Sequence, residues 1–337
     1  MQAAVVPEAG GEFELVERAI PDPGPEEVRV AVDACGICHS DAFVKEGTYP
    51  GISYPRTPGH EIAGRIDAVG EHVDRLDAGE RVGVGWHGGH CFTCGPCRRG
   101  DFQQCANGEI TGLTYDGGYA EYATVPAEAA AAIPDELAAV DAAPLLCAGV
   151  TTFNALRHTD ARPGDVVAVQ GIGGLGHLGV QYANAAGFET VALSRSDDKE
   201  SLALDLGADH FVDTTEHDPA ERLQALGGAS VVLATAPASE AISSVVGGLG
   251  TDGSVVIVGV PGEPVEVDAQ QLVGARSSVE GWASGHAQDS QETLEFSALR
   301  GVTPEIERYP LADVSDAYER MLANEARFRV VLEPGSD

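Results

Sequence analysis

The rhythm of apolar and polar positions changes once along the chain, near residue 145. Before that point apolar residues come in short runs separated by turns. Residues 27–35 (EVRVAVDAC) alternate with a period of two, as in a half-buried strand. Residues 61–70 (EIAGRIDAVG) read as a strand interrupted by Gly64, 80–86 (ERVGVGW) as another, and 117–125 (GGYAEYATV) resume the β pattern. After the change, 142–158 (AAPLLCAGVTTFNALRH) read as a helix following Pro144. Residues 165–170 (DVVAVQ) form a continuous apolar run, suited to a parallel strand covered on both faces. A glycine-rich turn and helix follow, then the strand 189–194 (ETVALS), a helix in DKESLALDLGA, and the strands HFVD, SVVLAT and GSVVIVGV. Strands and helices alternating at this interval predict an α/β fold with a doubly wound parallel sheet and right-handed crossovers. From about residue 285 the chain reads as helical and then extended, ending in RFRVVLEP.

Length agrees with that division, since 337 residues exceed one small core and suit two domains. Hydrophobic residues make up 43 % and mean hydropathy is close to zero, as in a globular protein. No run of about 18 apolar residues stands out, so no membrane partner is expected. Charge changes the picture more. Lys and Arg number 20 against 53 Asp and Glu, for a formal net charge of −33, and Lys45 and Lys199 are the only lysines. The acids are spread along the chain rather than gathered in a tail. Apolar content and regular strand patterns argue against a disordered acidic chain, and the sign of the charge argues against a nucleic-acid partner. A lysine-poor acidic surface points to a salt-loaded cytoplasm, where self-repulsion is screened within about 3 Å at 1 M salt.

Six of the seven cysteines carry candidate chemistry. Cys91, Cys94, Cys97 and Cys105 have the spacing C-x2-C-x2-C-x7-C. Four thiolates this close surround one tetrahedral Zn²⁺ with no open position, the form of a structural site. Disulfides are disfavoured because no secretory signal precedes MQAAVVPEAG. Cys38 in CGICHSD, His60 in PGHE and Cys147 in LLCAGVTTF are dispersed. Three such ligands would leave a fourth position for water or a substrate oxygen. Spacing does not select these three, however, and each also fits a buried thiol or a satisfied core histidine.

Gly171, Gly173 and Gly176 form G-x-G-x-x-G directly after a strand and at the start of a helix, the context of a dinucleotide site; Gly174 and Leu175 complete the turn. The second strand ends Ala192-Leu193-Ser194-Arg195-Ser196. A hydroxyl stands where an NAD site places an acid, an arginine follows, and Lys199 adds charge, although Asp197 and Asp198 lie close by. The expectation is NADP(H) over NAD(H).

With these motifs, DGGYAEY and the tail ANEARFRVV, nearly the whole chain resembles the zinc-dependent medium-chain alcohol dehydrogenases. The Ser-Arg-Ser turn brings it nearest the NADP-dependent, cinnamyl-alcohol-dehydrogenase-like branch. The resemblance implies a GroES-like β-rich catalytic domain over 1–145 with a zinc lobe at 86–106, a Rossmann domain over 146–284, and a return to the catalytic domain over 285–337. It implies two zincs per chain: a structural one on the four-cysteine lobe and a catalytic one held by Cys38, His60 and Cys147, with Glu61 as a neighbouring or exchange ligand. Asp41 matches the acid that orients the ligand histidine, Ser40 the hydroxyl that handles the alcohol proton, His39 a pyrophosphate contact, and Thr151 a residue beside the nicotinamide. Phe43 replaces the histidine that ends the proton relay in many members, so no relay histidine is expected. Cys35 is the spare thiol. With Cys38 and His39 it spells C-x-x-C-H, a haem attachment pattern that the zinc reading already absorbs.

The expected activity is hydride transfer between a small-molecule alcohol or aldehyde and NADP(H), in a cytoplasmic homodimer or homotetramer. Trp86, His87 and Trp282 are expected near the substrate, favouring apolar compounds. The alternatives are a polyol or sugar dehydrogenase of the same fold and a non-catalytic zinc- and nucleotide-binding sensor.

Overall fold

The computed structural model describes residues 1–335; the final two positions of the expected C-terminal segment, 336 and 337, lie outside the described residues. The chain divides into two compact units. The first comprises Met1–Val150 together with the chain from Gly285 onward, and the second Thr151–Ser284.

The first unit is built on a seven-stranded, largely antiparallel sheet. Its longest strand, Glu27–Ile37, alternates buried and half-buried residues over its first half and is almost continuously buried after that. It pairs with Ile62–Val69 on one side and with Arg329–Glu333 on the other. The last strand is apolar except at its ends, and it sets Val330 opposite Ile37 and Leu332 opposite Cys35. The helix Val314–Leu322 buries Val314, Ala317, Tyr318 and Met321, the i, i+3, i+4, i+7 stripe of one helical face. That stripe joins a core of Val28, Val30, Ile62, Val84, Tyr119 and Leu332.

The second unit carries a six-stranded parallel sheet. Its strands in chain order are β1 (Val166–Gln170), β2 (Glu189–Ser194), β3 (His210–Asp213), β4 (Ala229–Ala234), β5 (Leu249–Ile257) and β6 (Ser278–Gly281). Their spatial order is 3-2-1-4-5-6, the doubly wound arrangement that binds a dinucleotide at the carboxyl ends of the central strands. Every residue of β1 is buried, in keeping with its unbroken apolar run. The helix α1 (Gly176–Ala185) follows β1 after the glycine-rich turn.

Two expectations need correction. The helix read as starting after Pro144 begins at Ala139, and Pro144 lies inside it. Proline has no N–H to donate to the preceding turn, and directly after it the helix widens into a π-helical turn, Leu145–Gly149, before Val150–Arg157 continues. This continuous run, Ala139–Arg157, is 19 residues and by length and composition apolar enough to cross a membrane, although no such stretch is expected from the sequence. Of its apolar window 72 % is buried, so that surface is taken up by packing inside the protein.

Candidate functional site

Cys38 ends the long strand and opens a tight helical turn, His39–Asp41. His60 and Glu61 precede the strand Ile62–Val69, and Cys147 sits in the π-helical turn. Sulfur, imidazole and carboxylate atoms of Cys38, His60, Glu61 and Cys147 all lie within 4.8 Å of one another. The Cys38 and Cys147 sulfurs are 3.8 Å apart. That is the edge of a tetrahedron whose centre-to-sulfur distance is ~2.3 Å, as for zinc. His60 Nε2 and Glu61 Oε2 are buried and have no hydrogen-bond partner among the described residues. Such atoms are costly to bury unless a cation takes them up, so this donor set fits zinc.

Electrostatics agree. The Cys147 thiol bonds to the Cys38 sulfur and holds its pKa well below the ordinary value against burial, while Cys147 is pushed up. One thiol is lowered as its neighbour is raised, and a dication between them would let both ionise. Burial, and next the Cys38 charge among the causes that raise it, push Glu61 up to about 7, opposed by Arg329. Room for Glu61 depends on Gly36, where a Cβ would come within 1.8 Å of Glu61 Oε2.

Asp41, fully buried, faces His60 Nδ1 at 3.1 Å. A carboxylate only accepts, so Nδ1 carries a proton and Nε2 is the ring nitrogen that would meet a metal. Sequence reasoning missed Arg329, which is 5 % exposed and donates to Glu61 Oε1. The available signal was a charged residue inside the apolar run RFRVVLE. Ser40 is half-buried and His39 exposed, both in the turn after Cys38.

The second cysteine cluster is equally compact. Sulfur separations are 3.4 Å for Cys94–Cys97, 3.6 Å for Cys91–Cys105 and 3.9 Å for Cys94–Cys105, spanning the ~3.8 Å expected around zinc. The amides of Cys94 and Asn107 donate to Cys91 and Cys105. Hydrogen bonds from Thr93 and Asn107 lead the causes that bring Cys91 down to about 5. These donors stabilise thiolates, which is what a zinc site made of four cysteines needs.

Aromatic residues flank the first cluster. The Trp86 ring meets His60 edge-on at 5.0 Å and Phe43 at 6.2 Å, and Phe43 meets Tyr49 at 5.9 Å. Two further residues expected near the substrate have ring partners of their own. His87 is buried and faces His90, 3.1 Å between ring nitrogens, and burial with the neighbouring His90 and His286 lowers it to about 4. Trp282 stacks on His158 at 4.3 Å and donates to the Ser284 carbonyl.

In the second unit the turn between β1 and α1 is closed at two glycines and open at the third. Gly171 has a φ of +91°, and a Cβ on Gly176 would lie 1.8 Å from the Gly171 carbonyl oxygen. At Gly173 nothing lies within 4 Å of a Cβ, which leaves the backbone accessible to a pyrophosphate. The amides of His177, Leu178 and Gly179 bond back to the Gly173 and Leu175 carbonyls, and the positive end of the α1 dipole faces the glycine turn, which suits phosphate. The Thr235 hydroxyl, not foreseen from sequence, fastens the Gln170 and Gly171 carbonyls at 2.9 and 2.8 Å. Ser194 ends β2, Arg195 next to it is exposed, and Thr151 is buried in its helix. Lys199 donates to the Ile172 carbonyl at 2.8 Å, so it braces the glycine turn.

Known proteins share this arrangement. Residues 24–135 match the alcohol dehydrogenase GroES-like domain and 174–298 the zinc-binding dehydrogenase domain. Alcohol dehydrogenase patD of Penicillium expansum is 46 % identical over 98 % of this chain and 96 % of its own length. The NADP-dependent alcohol dehydrogenase C of Mycobacterium bovis is 39 % identical over 93 % and 92 %. A cinnamyl alcohol dehydrogenase structure from Sorghum bicolor superposes with a TM-score of 0.90 at 32 % identity, covering 100 % of this chain and 98 % of that one. A GroES-like domain and a Rossmann domain in one chain, relatives matched over nearly their full length, and a donor set suited to zinc lead to one conclusion: the chain belongs to the zinc-dependent medium-chain alcohol dehydrogenases, oxidoreductases that use zinc and a nicotinamide cofactor on small alcohols or aldehydes.

Proposed function

We propose that the protein is an NADP(H)-preferring dehydrogenase that interconverts apolar alcohols and aldehydes, with two zincs per chain. The observation that carries this reading is the cluster of Cys38, His60 and Cys147, in which the unpartnered His60 Nε2 supplies the third donor and three donors leave the fourth position of a tetrahedral ion exchangeable. When bound there, zinc polarises the substrate oxygen while the nicotinamide takes or gives the hydride. Cys38 and Cys147 supply two charges and His60 the neutral ligand; Glu61, with one oxygen free of hydrogen bonds, serves ligand exchange. Ser40 receives the proton from the alcohol oxygen, and His39 and Thr151 contribute to holding the cofactor. Cys91, Cys94, Cys97 and Cys105 hold the second, structural zinc.

Trp86, Phe43 and Tyr49 support an apolar or aromatic substrate, because a chain of rings leading away from His60 presents mainly apolar surface. Phe43 stands where a relay histidine would, so the proton leaves Ser40 through cofactor hydroxyls or water. Coenzyme choice follows from β2 ending in Ser194 and the exposed Arg195, with no acid at that position to hold a ribose hydroxyl or repel a 2′-phosphate. The NADP-dependent mycobacterial relative favours the same choice. The outer edge of β6 carries unpaired backbone groups, which supports a homodimer or homotetramer. Six thiolates committed to metal require a reducing compartment, so cytoplasmic residence goes with this reading.

The test is initial rates of benzaldehyde and short-chain aldehyde reduction in molar KCl, with NADPH and NADH in parallel. Faster turnover with NADPH is expected. Turnover mainly with NADH overturns the coenzyme assignment, and turnover on sorbitol or glucose but not on aldehydes overturns the substrate assignment.

A further inference from the structure

Tyr119 belongs to DGGYAEY, a motif whose part in the chemistry is not evident from sequence. The structure assigns it one: we propose that Tyr119 is a positioning residue for the metal site, its hydroxyl fixing Asp41 and through it the orientation and donor strength of the His60 imidazole. This rests on the reading of Cys38, His60 and Cys147 as the catalytic zinc ligands.

The Asp41 carboxylate is fully buried and accepts four hydrogen bonds. Oδ2 takes the Cys38 amide at 2.8 Å and the Tyr119 hydroxyl at 2.9 Å. Oδ1 takes the Gly59 amide at 3.3 Å and His60 Nδ1 at 3.1 Å. Three of these donors belong to a ligand residue or its neighbour, so they move with the metal site. Tyr119 alone comes from a separate segment and ties the carboxylate to the rest of the fold.

That segment is held backbone to backbone against the one carrying His60. Gly117 donates to Thr57 O at 2.7 Å, Gly118 to Gly59 O at 2.9 Å and Tyr119 to Pro58 O at 3.0 Å. The approach leaves no room for side chains. A Cβ on Gly117 would lie 2.2 Å from Gly59 O, and one on Gly59, whose φ is +101°, would lie 2.5 Å from the Tyr119 ring. The glycines of PGHE and DGGY therefore let the tyrosine reach beneath the histidine. Burial, then the Asp41 charge, raise the Tyr119 pKa well above its usual value, so the phenol stays a neutral donor.

A carboxylate sharing its charge among four donors pulls less strongly on any one of them. With the hydroxyl gone, the carboxylate loses its tie to the segment carrying Tyr119 and the imidazole plane loses a restraint; this loosening outweighs the stronger pull on His60 Nδ1–H from a carboxylate with one donor fewer. The neighbouring Tyr318 is a built-in control. It shares the Phe13 ring with Tyr119, at 5.3 and 6.1 Å, but its buried hydroxyl has no hydrogen bond among the described residues.

The experiment loads the full-length protein and its Tyr119→Phe and Tyr318→Phe variants with Co(II), records thiolate-to-cobalt and ligand-field absorption, and follows metal release to a chelator. Tyr119→Phe is expected to shift the bands of one site and speed release from it about tenfold, the lower end of what losing an outer partner of a ligand costs. The all-cysteine site is unchanged and Tyr318→Phe behaves as wild type. Identical spectra and release in Tyr119→Phe and wild type overturn the proposal, as do equal shifts in both variants, which would mean ring packing alone. Wild-type protein that takes up only one metal overturns the zinc reading beneath it, and so is told apart from failure of the tyrosine's role.

Discussion

Arg329 and Glu61 form an ion pair inside the protein, with 5 % and 0 % of their side chains exposed. The guanidinium also donates to the Ile37 carbonyl at 3.3 Å, one residue before Cys38. A strand from the end of the chain thereby closes over a site built near its beginning. Burial drives the Glu61 carboxyl toward its neutral form, and the arginine opposes this.

Replacing Arg329 with Met leaves Glu61 without its counter-charge, and breaking a buried pair from one side costs about 3–5 kcal/mol. The Arg329→Met protein should lose stability by that order in urea titrations at constant salt. The double variant Arg329→Met/Glu61→Gln should regain most of it, because no lone charge is left. A single-variant loss below about 1 kcal/mol would show the pair to be hydrated rather than buried.

Coenzyme choice is tested at Arg195. Hydrogen bonds to a charged group contribute about 1.5–3 kcal/mol, so Arg195→Ser should lower kcat/KM for NADPH by roughly 10–100-fold. The value for NADH should stay within about twofold, since its ribose offers no phosphate. Equal losses with both coenzymes would place Arg195 in structure rather than selectivity.

The cysteine lobe predicts a metal count. Cys94 touches both Cys97 and Cys105 through sulfur. Cys94→Ser should take zinc from two per chain to one by atomic absorption and lower the melting temperature, since a closed tetrahedral site contributes folding energy. Two zincs in the variant would mean that Cys94 is not needed to hold the second.

What was legible in the sequence was local. The four cysteines stand within one short loop, and the glycine turn lies between a strand and a helix, so spacing alone announces both. Cys38, His60 and Cys147 are brought together by a long strand, a loop and a π-helical turn, and no periodicity links them; only resemblance selected them. Arg329 and Thr235 escaped because their significance comes from strand pairing at a distance. Pro144 misled because a proline reads as a helix start, whereas here the widened turn accommodates it. His87 and Trp282 are placed at the substrate by resemblance alone; in the structure one faces His90 and the other stacks on His158.

Salt dependence follows from the charge. The acids exceed the bases by 53 − 20 = 33. The two lysines add little positive surface: Lys45 is 8 % exposed beside Glu12 and Phe13, and Lys199 is bound to the Ile172 carbonyl. The folded state therefore carries a dense negative field that the expanded chain relieves. Screening shortens from about 10 Å at 0.1 M to about 3 Å at 1 M, so most repulsion between neighbouring acids should vanish over that range. If this recovers several kcal/mol, the melting temperature should rise by roughly 10 °C or more between 0.1 and 2 M KCl. Salts also strengthen apolar burial, sulfate more than chloride. A variant with a dozen exposed Asp and Glu changed to Asn and Gln separates the two causes. If repulsion dominates, the variant melts higher in dilute buffer and gains much less from KCl. An undiminished gain would assign the effect to apolar burial instead.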